Sequence, residues 1–387
     1  KYQSCLSIDN CPFNSFGRRY NRDNTWFRKS VPADIVQIVS VLIYLLCFTL
    51  HYFSFQIYLM IMKLKFAKRM SYIKASEIRE ILKVTEREDV ISFAGGLPAP
   101  ELFPIDEINK MNQVVLQEAG AKALQYTTTE GYYPLREWIA KRMNERLGPS
   151  FDKDNILITH GSQQGLDLSG KVFLDDGDIV LCESPTYLAA ISAFKSYGSG
   201  FIEIPTDEEG MDMATLEEVL NNTQNIKLIY VIPTFQNPTG KTWSLERRKK
   251  LAELSALYDI PVIEDNPYGE LRFEGESLPS IKSFDKVGNI LCTGSFSKIF
   301  CPGFRIGWIA GDKDIIRKYV LVKQGTDLQC NTIAQMTIAE YLKRYDIDEH
   351  ISKIVEVYRK RRDIALECIE RYFPNDIKYT HPQGGLF

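Results

Sequence analysis

Residues 226–234 read IKLIYVIPT, apolar at every position but Lys227 and the closing Thr234. A strand with one wet face alternates polar and apolar residues, so a run without that alternation needs apolar cover on both faces. A parallel sheet with helices packed on either side provides it. The surrounding sequence has the same make-up. From about residue 155 short apolar runs (NILIT, DIVLCES, FIEIP, PVIED, NILCT, RIGWIAG) alternate with longer amphipathic stretches. HGSQQGLDLSGKVFL reads as a turn opening a helix, and SLERRKKLAELSALY as a helix with Ser244 at its N-cap. The alternation predicts an α/β fold with a mostly parallel sheet. The charged region 340–373 reads as a separate helical layer, and the sequence shows no internal repeat or low-complexity linker.

With 387 residues the chain is long enough for one large or two medium domains. A net charge of −3 gives no electrostatic reason to expect nucleic acid or an acidic membrane as partner. The eight cysteines form no CxxC pair and no Cys/His metal spacing, so no metal is expected. Cys182, Cys292 and Cys330 lie in or near apolar stretches, which predicts buried free thiols in a reducing, cytoplasmic setting.

The two ends differ in character from the middle. Between Ile35 and Met62 there is no Asp, Glu, Lys or Arg over 28 residues, and a bilayer span needs about 20. Arg28 and Lys29 precede the run, and Lys63, Lys65, Lys68 and Arg69 follow it, so a span there would put the rest of the chain in the cytoplasm. The composition changes abruptly at MKLKFAKRM, and the expectation is a start at Met62, with residues 1–61 an extension without function and no membrane partner. HPQGGLF, at the other end, reads as a Gly-Gly turn into a new strand, as if the chain were cut inside a domain.

In sheets of this kind ligands sit beyond the carboxyl ends of the strands. Five strand ends carry candidate ligand groups: Gly161-Ser162-Gln163, Ser184-Pro185-Thr186-Tyr187, Asn237-Pro238-Thr239-Gly240, Asp265-Asn266-Pro267-Tyr268 and Ser295-Phe296-Ser297-Lys298. A lysine at the end of a buried strand is costly unless it is paired or neutralised, and an imine with an aldehyde does the latter. Ser295, Ser297 and Arg305 suit a phosphate dianion, as do the free N–H groups of a helix opening at Gly161-Ser162-Gln163. Asp265 suits the protonated nitrogen of a pyridine ring, Tyr268 and Asn237 its phenolate oxygen, and Tyr187 its face. Taken singly, each has a plainer reading: a surface lysine, a helix cap, an N-cap carboxylate, a packing aromatic. Together they describe pyridoxal 5′-phosphate.

The chain from about Met62 to Phe387 resembles the class I/II aminotransferases of fold type I, nearest the 2-aminoadipate/kynurenine-type subgroup. The motifs are ISFAGGLPAPELFP (91–104), LQYTTTEGYYPLREWIA (124–140), THGSQQGLDL (159–168), NPTG (237–240), DNPYGELRF (265–273) and SFSKIFCPGFRIGW (295–308). The resemblance implies a three-layer α/β/α cofactor domain at 96–335. The segments 62–95 and 336–387 would belong to a smaller α+β domain, incomplete here. Lys298 would form the Schiff base, Asp265 hold the pyridine nitrogen, Asn237 and Tyr268 the ring oxygen, and Tyr187 stack on the ring. Ser162, Gln163, Ser295, Ser297 and Arg305 would hold the phosphate, joined by Tyr126 from the other subunit of a homodimer. Gly96 and Asn237 would approach the substrate carboxylate, and Arg79 matches a position that contacts acidic substrate side chains in relatives.

The implied activity is a ping-pong transfer of an amino group from an L-amino acid to a 2-oxo acid, 2-oxoglutarate by resemblance, with Lys298 moving the α-proton. Besides a membrane-anchored form of the same enzyme, two alternatives stand beside it. One is another fold type I enzyme: a decarboxylase, lyase or synthase. The other is a transcription regulator with an aminotransferase-like domain, which needs a basic helix-turn-helix where residues 1–61 offer an apolar run.

Overall fold

The computed structural model describes residues 38–39, 41–50, 52–53, 64–73, 89–90, 92 and 95–387. They fall into two units, 1–66 and 67–387. In the first, residues 41–50 are helical. No helix among the described residues is long and apolar enough to cross a membrane. Part of the apolar run 35–62, Met62 itself and Arg79 lie outside the described residues.

The second unit opens with α1 (Ile105–Ala123) and α2 (Tyr133–Leu147). There follow β1 (Ile156–His160), α3 (Gly161–Phe173), β2 (Ile179–Ser184), α4 (Leu188–Lys195), β3 (Gly200–Asp207), β4 (Gly210–Met211) and α5 (Met213–Asn222). Next are β5 (Ile226–Val231), α6 (Leu245–Tyr258), β6 (Val262–Asp265), β7 (Ile290–Ser295) and β8 (Ile306–Ala310). The unit closes with α7 (Lys313–Gln324), α8 (Thr332–Arg344) and α9 (Ile347–Tyr372). Every short apolar run named from sequence between residues 155 and 311 is a strand, and Ser244 caps α6 by accepting from Arg247 N–H. The 340–373 region is not one helix: α8 ends at Arg344, and Asp346 caps a new start by accepting from Asp348 N–H.

The strands form one sheet in the order β1-β8-β7-β6-β5-β2-β3-β4. The central pairings β3/β2, β2/β5, β5/β6 and β6/β7 are parallel, as expected, and β8 runs antiparallel to both β7 and β1. The exception has a simple cause. A parallel crossover needs a dozen or more residues, and only residues 296–305 join β7 to β8. That short return is the segment that holds Ser297, Lys298 and Arg305 at the sheet's edge.

Strand β5 shows why its sequence lacks alternation. Leu228 and Tyr230 pack with Val180, Phe194 and Ile263 on one face. Ile229 and Val231 pack with Leu181, Leu216 and Leu251 on the other. Each fully buried aliphatic side chain contributes about 1.5–3 kcal/mol, so both faces need their helical layer. Strand order reverses between β2 and β5, the kind of switch point at which such sheets open a crevice.

The expected strand at HPQGGLF does not form among the described residues. The segment makes a single bridge, Arg272 with Gly384, and Gly385 N–H donates to Leu271 O at 2.9 Å. Phe387 instead turns edge-on to Tyr268, with ring centroids 5.7 Å apart. It also covers Gly96, where an added Cβ would collide with its ring.

Candidate active site

The five strand ends meet through side-chain contacts. From the β1 and β2 ends, Tyr187 Oη donates to Gln163 Oε1 at 3.5 Å, and Gln163 Nε2 donates to Ala189 O at 3.0 Å. Between β2 and β5, Gln236 Nε2 donates to Pro185 O at 2.7 Å. Between β5 and β6, Asn237 Nδ2 donates to Tyr268 Oη at 3.4 Å. Lys298, beyond β7, sets its Nζ 5.7 Å from the centre of the Tyr268 ring and donates to Gly96 O at 3.0 Å. Burial, reinforced by the charge of Arg305, lowers the Lys298 ammonium to a pKa of about 8.

The next group is built at the helix start. Gly161, first residue of α3, has φ +66°, and an added Cβ would lie 3.1 Å from Arg305 Cζ and nearer still to Nη2. Arg305 is itself left-handed, at φ 53°. Its guanidinium is exposed and, among the described residues, bonds Pro302 O at 3.2 Å and, at the long distance of 3.5 Å, Ser297 Oγ and His160 O. Ser297 N–H donates to Ser295 Oγ at 3.0 Å. Ser162 and Gln163 occupy the first turn of α3, where N–H groups lack intrahelical partners.

Asp265 ends β6 fully enclosed. Its Oδ2 accepts from Tyr230 Oη at 2.8 Å, and its Oδ1 accepts a short bond from Thr293 Oγ1. Burial pushes its carboxyl up despite both donors. Such an acid gains from a cation beside it, as a protonated ring nitrogen would be.

Of the sequence-predicted residues, Lys298, Asp265, Tyr268, Asn237, Tyr187, Gln163, Ser162, Ser295, Ser297, Arg305 and Gly96 lie on these strand ends or the turn facing them. Tyr126 does not join them within this chain: its side chain is 79% exposed.

Sequence reasoning missed Tyr230 and Thr293. The hydroxyl of Tyr230 in a buried strand required an acceptor and was a readable signal; Thr293 is opposite Asp265 only through the β6/β7 register. It also missed Glu183, buried in β2. That carboxylate accepts from Ile232 N–H and Trp243 Nε1–H, both at 2.8 Å, and ties the loop of Tyr187 to the loop of Asn237.

A cavity of about 530 Å³ lies elsewhere, between α2, α9 and the segment after β6. Of the strand-end residues named from sequence only Asn266, Pro267 and Ser295 line it, and its Arg142 is already paired with Glu270 and Asp348.

The sequence profile of the family described as Aminotransferase class I and II matches residues 88–387. An aromatic-amino-acid aminotransferase of Thermococcus litoralis is 49% identical over 326 residues, covering 83% of this chain and 78% of its own. A 2-aminoadipate transaminase of Thermus thermophilus is 42% identical, covering 83% and 80%. The crystal structure of a kynurenine aminotransferase from Pyrococcus horikoshii superposes with a TM-score of 0.79 at 47% identity, over 83% of this chain and 80% of that one. A profile reaching across the whole sheet and relatives this similar over the same span leave one assignment: the chain belongs to the class I and II aminotransferases.

Proposed function

We propose that this aminotransferase moves the amino group of an L-amino acid to a 2-oxo acid, 2-oxoglutarate being the acceptor, in a ping-pong order through a Lys298 Schiff base. The observation that carries the reading is a half-buried amine with a pKa of about 8, set against the Tyr268 ring and the Gly96 carbonyl.

The residues present fit pyridoxal 5′-phosphate, the cofactor of this enzyme. An exposed arginine, two serines and a helix start form a donor set for a phosphate, next to a glycine whose missing Cβ leaves that arginine room. Bound there, the cofactor supplies an aldehyde for amines and a protonated ring that takes up the electron pair left by the α-proton. Lys298 Nζ, neutral in part at pH 7, accepts the α-proton of the substrate. Asp265 keeps the ring nitrogen charged, held by Tyr230 and Thr293. Asn237 and Tyr268 donate to the ring oxygen, and Tyr187 covers the ring face. Ser162, Gln163, Ser295, Ser297 and Arg305 hold the phosphate, and Gly96 and Asn237 border the substrate carboxylate. General-base help of this kind is worth ~10²–10⁴-fold.

The same reading makes the enzyme a homodimer in which exposed Tyr126 reaches the neighbour's phosphate, and Arg79 a contact for acidic substrates. It divides the chain into a cofactor domain at 96–335 and a smaller domain built from 62–95 and 336–387. Cytoplasmic residence is supported by the buried free thiols of Cys182, Cys292, Cys301 and Cys330. The test is an absorbance spectrum with added pyridoxal phosphate before and after borohydride, with Lys298→Ala alongside. An imine band that borohydride abolishes while fixing the ligand onto Lys298, and that in unreduced enzyme is bleached by aromatic amino acids, 2-aminoadipate or kynurenine offered one at a time, supports the reading and selects the donor. No imine in the wild-type chain overturns it.

A further inference from the structure

Behind the start of α3 lies a partly buried polar cluster, centred on one fully buried lysine, with no part in the chemistry above. Lys323, on α7, has no exposed surface. Its Nζ donates to both oxygens of Asp327, at 2.7 and 2.8 Å, and to Gln164 Oε1 at 3.0 Å. Gln164 Nε2 donates to Asp327 Oδ2 at 2.7 Å, and Gln164 Oε1 accepts from His160 N–H at 2.9 Å. His160 Nε2 stands 3.3 Å from Asp327 Oδ2. Cys330 brings its sulfur close enough to His160 and Asp327 to suggest a metal site. The ammonium of Lys323 already neutralises that carboxylate, so the cluster is an ion-pair network.

The pattern of donors settles the amide. Lysine only donates and a carboxylate only accepts, so Gln164 must turn Oε1 to Lys323 and Nε2 to Asp327. In that orientation Oε1 faces His160 N–H, the residue before Gly161. A buried ion pair adds little net stability compared with apolar residues of the same volume; here it fixes one orientation of one amide. The effect reaches the phosphate group directly, because His160 O is also an acceptor for Arg305.

We infer that Gln164, Asp327 and Lys323 are positioning residues for the phosphate-binding turn, holding His160–Gly161 in the shape that receives a phosphate monoester. The inference rests on the cofactor reading proposed above. It predicts a loss specific to phosphate. Gln164→Met removes the amide's three hydrogen bonds, with His160, Lys323 and Asp327, and leaves the Lys323–Asp327 pair in place. The double variant Lys323→Met/Asp327→Leu removes the pair by an apolar exchange of the kind that proteins tolerate, and keeps the test open if Gln164→Met does not fold.

The apoprotein of each is titrated with pyridoxal phosphate and with pyridoxal, which has the same ring and aldehyde but no phosphate, following the imine absorbance. Circular dichroism checks the fold. The expected result is a rise of about tenfold in Kd for pyridoxal phosphate, the scale of one lost hydrogen bond to a charged group, with Kd for pyridoxal within about twofold of wild type. Equal changes for both ligands, or no change in a folded variant, overturn the inference. A wild-type protein that does not prefer pyridoxal phosphate over pyridoxal overturns the phosphate site itself, and the inference with it.

Discussion

Gly161→Ala tests the phosphate site through its backbone. At φ +66° an alanine sits in the left-handed region, which costs about 1–2 kcal/mol. Its Cβ would also meet the Arg305 guanidinium, 3.1 Å from Cζ and 3.3 Å from Nη1. The far end of a flexible side chain yields more readily than the backbone, so Arg305 moves and gives up its 3.5 Å contacts with His160 O and Ser297 Oγ. Displacing it removes a charged donor from the phosphate, worth roughly 1.5–3 kcal/mol, or about 10- to 150-fold in Kd. Two assays read the two parts: urea unfolding of the apoprotein for the strain, and absorbance titration with pyridoxal phosphate for the affinity. The same substitution in an Arg305→Gln background should add little further loss of affinity, since both changes remove one contact. A folded Gly161→Ala protein with wild-type affinity, or losses that simply add, would refute the reasoning.

Other expectations follow from the same geometry. The neutral amine is the nucleophile and Lys298 titrates at about 8. Imine formation followed by stopped-flow absorbance should therefore rise with pH to a midpoint near that value; a midpoint at the ordinary lysine value of 10.5 would contradict it. Arg305→Gln should move the midpoint upward, because the arginine's charge helps to lower it. Burial raises Glu183 from 4.5 to about 8, against the pull of its N–H donors. The folded state then binds the extra proton in that window, so stability falls as pH rises from 4.5 to about 8. Glu183→Gln should flatten this slope in urea unfolding measured along pH; an unchanged slope would place its origin elsewhere. Tyr230→Phe takes a 2.8 Å donor from buried Asp265 and should cost ~1–3 kcal/mol of stability, a loss absent if that carboxyl needs no second donor.

The fold was legible to the extent that periodicity and turn chemistry are local. The unalternating run at 226–234 demanded two covered faces, and β5 has them. Ser244 announced the start of α6 because a cap is written within one helical turn. Polar residues after the apolar runs marked the strand ends, since in a covered sheet those ends are where polar groups meet solvent and ligand. Much of the candidate site was visible in this way, Lys298, Asp265 and Arg305 included.

What the sequence left open depends on register and on packing between distant elements. Thr293 reaches Asp265 only because β6 and β7 pair with those two residues opposite, and Glu183 meets Ile232 and Trp243 only across the β2/β5 switch. The cluster of Gln164, Lys323 and Asp327 joins residues 159 positions apart. Phe387, which read as the opening of a strand, lies against Tyr268 because nothing local to its own segment decides where an aromatic ring is buried. By itself the sequence determined which stretches become strands and helices and which residue types stand at their ends, because those are matters of neighbours along the chain. The tertiary structure alone decided which buried donors face which acceptors, because hydrogen bonds act over about 3 Å of space whatever the separation along the chain.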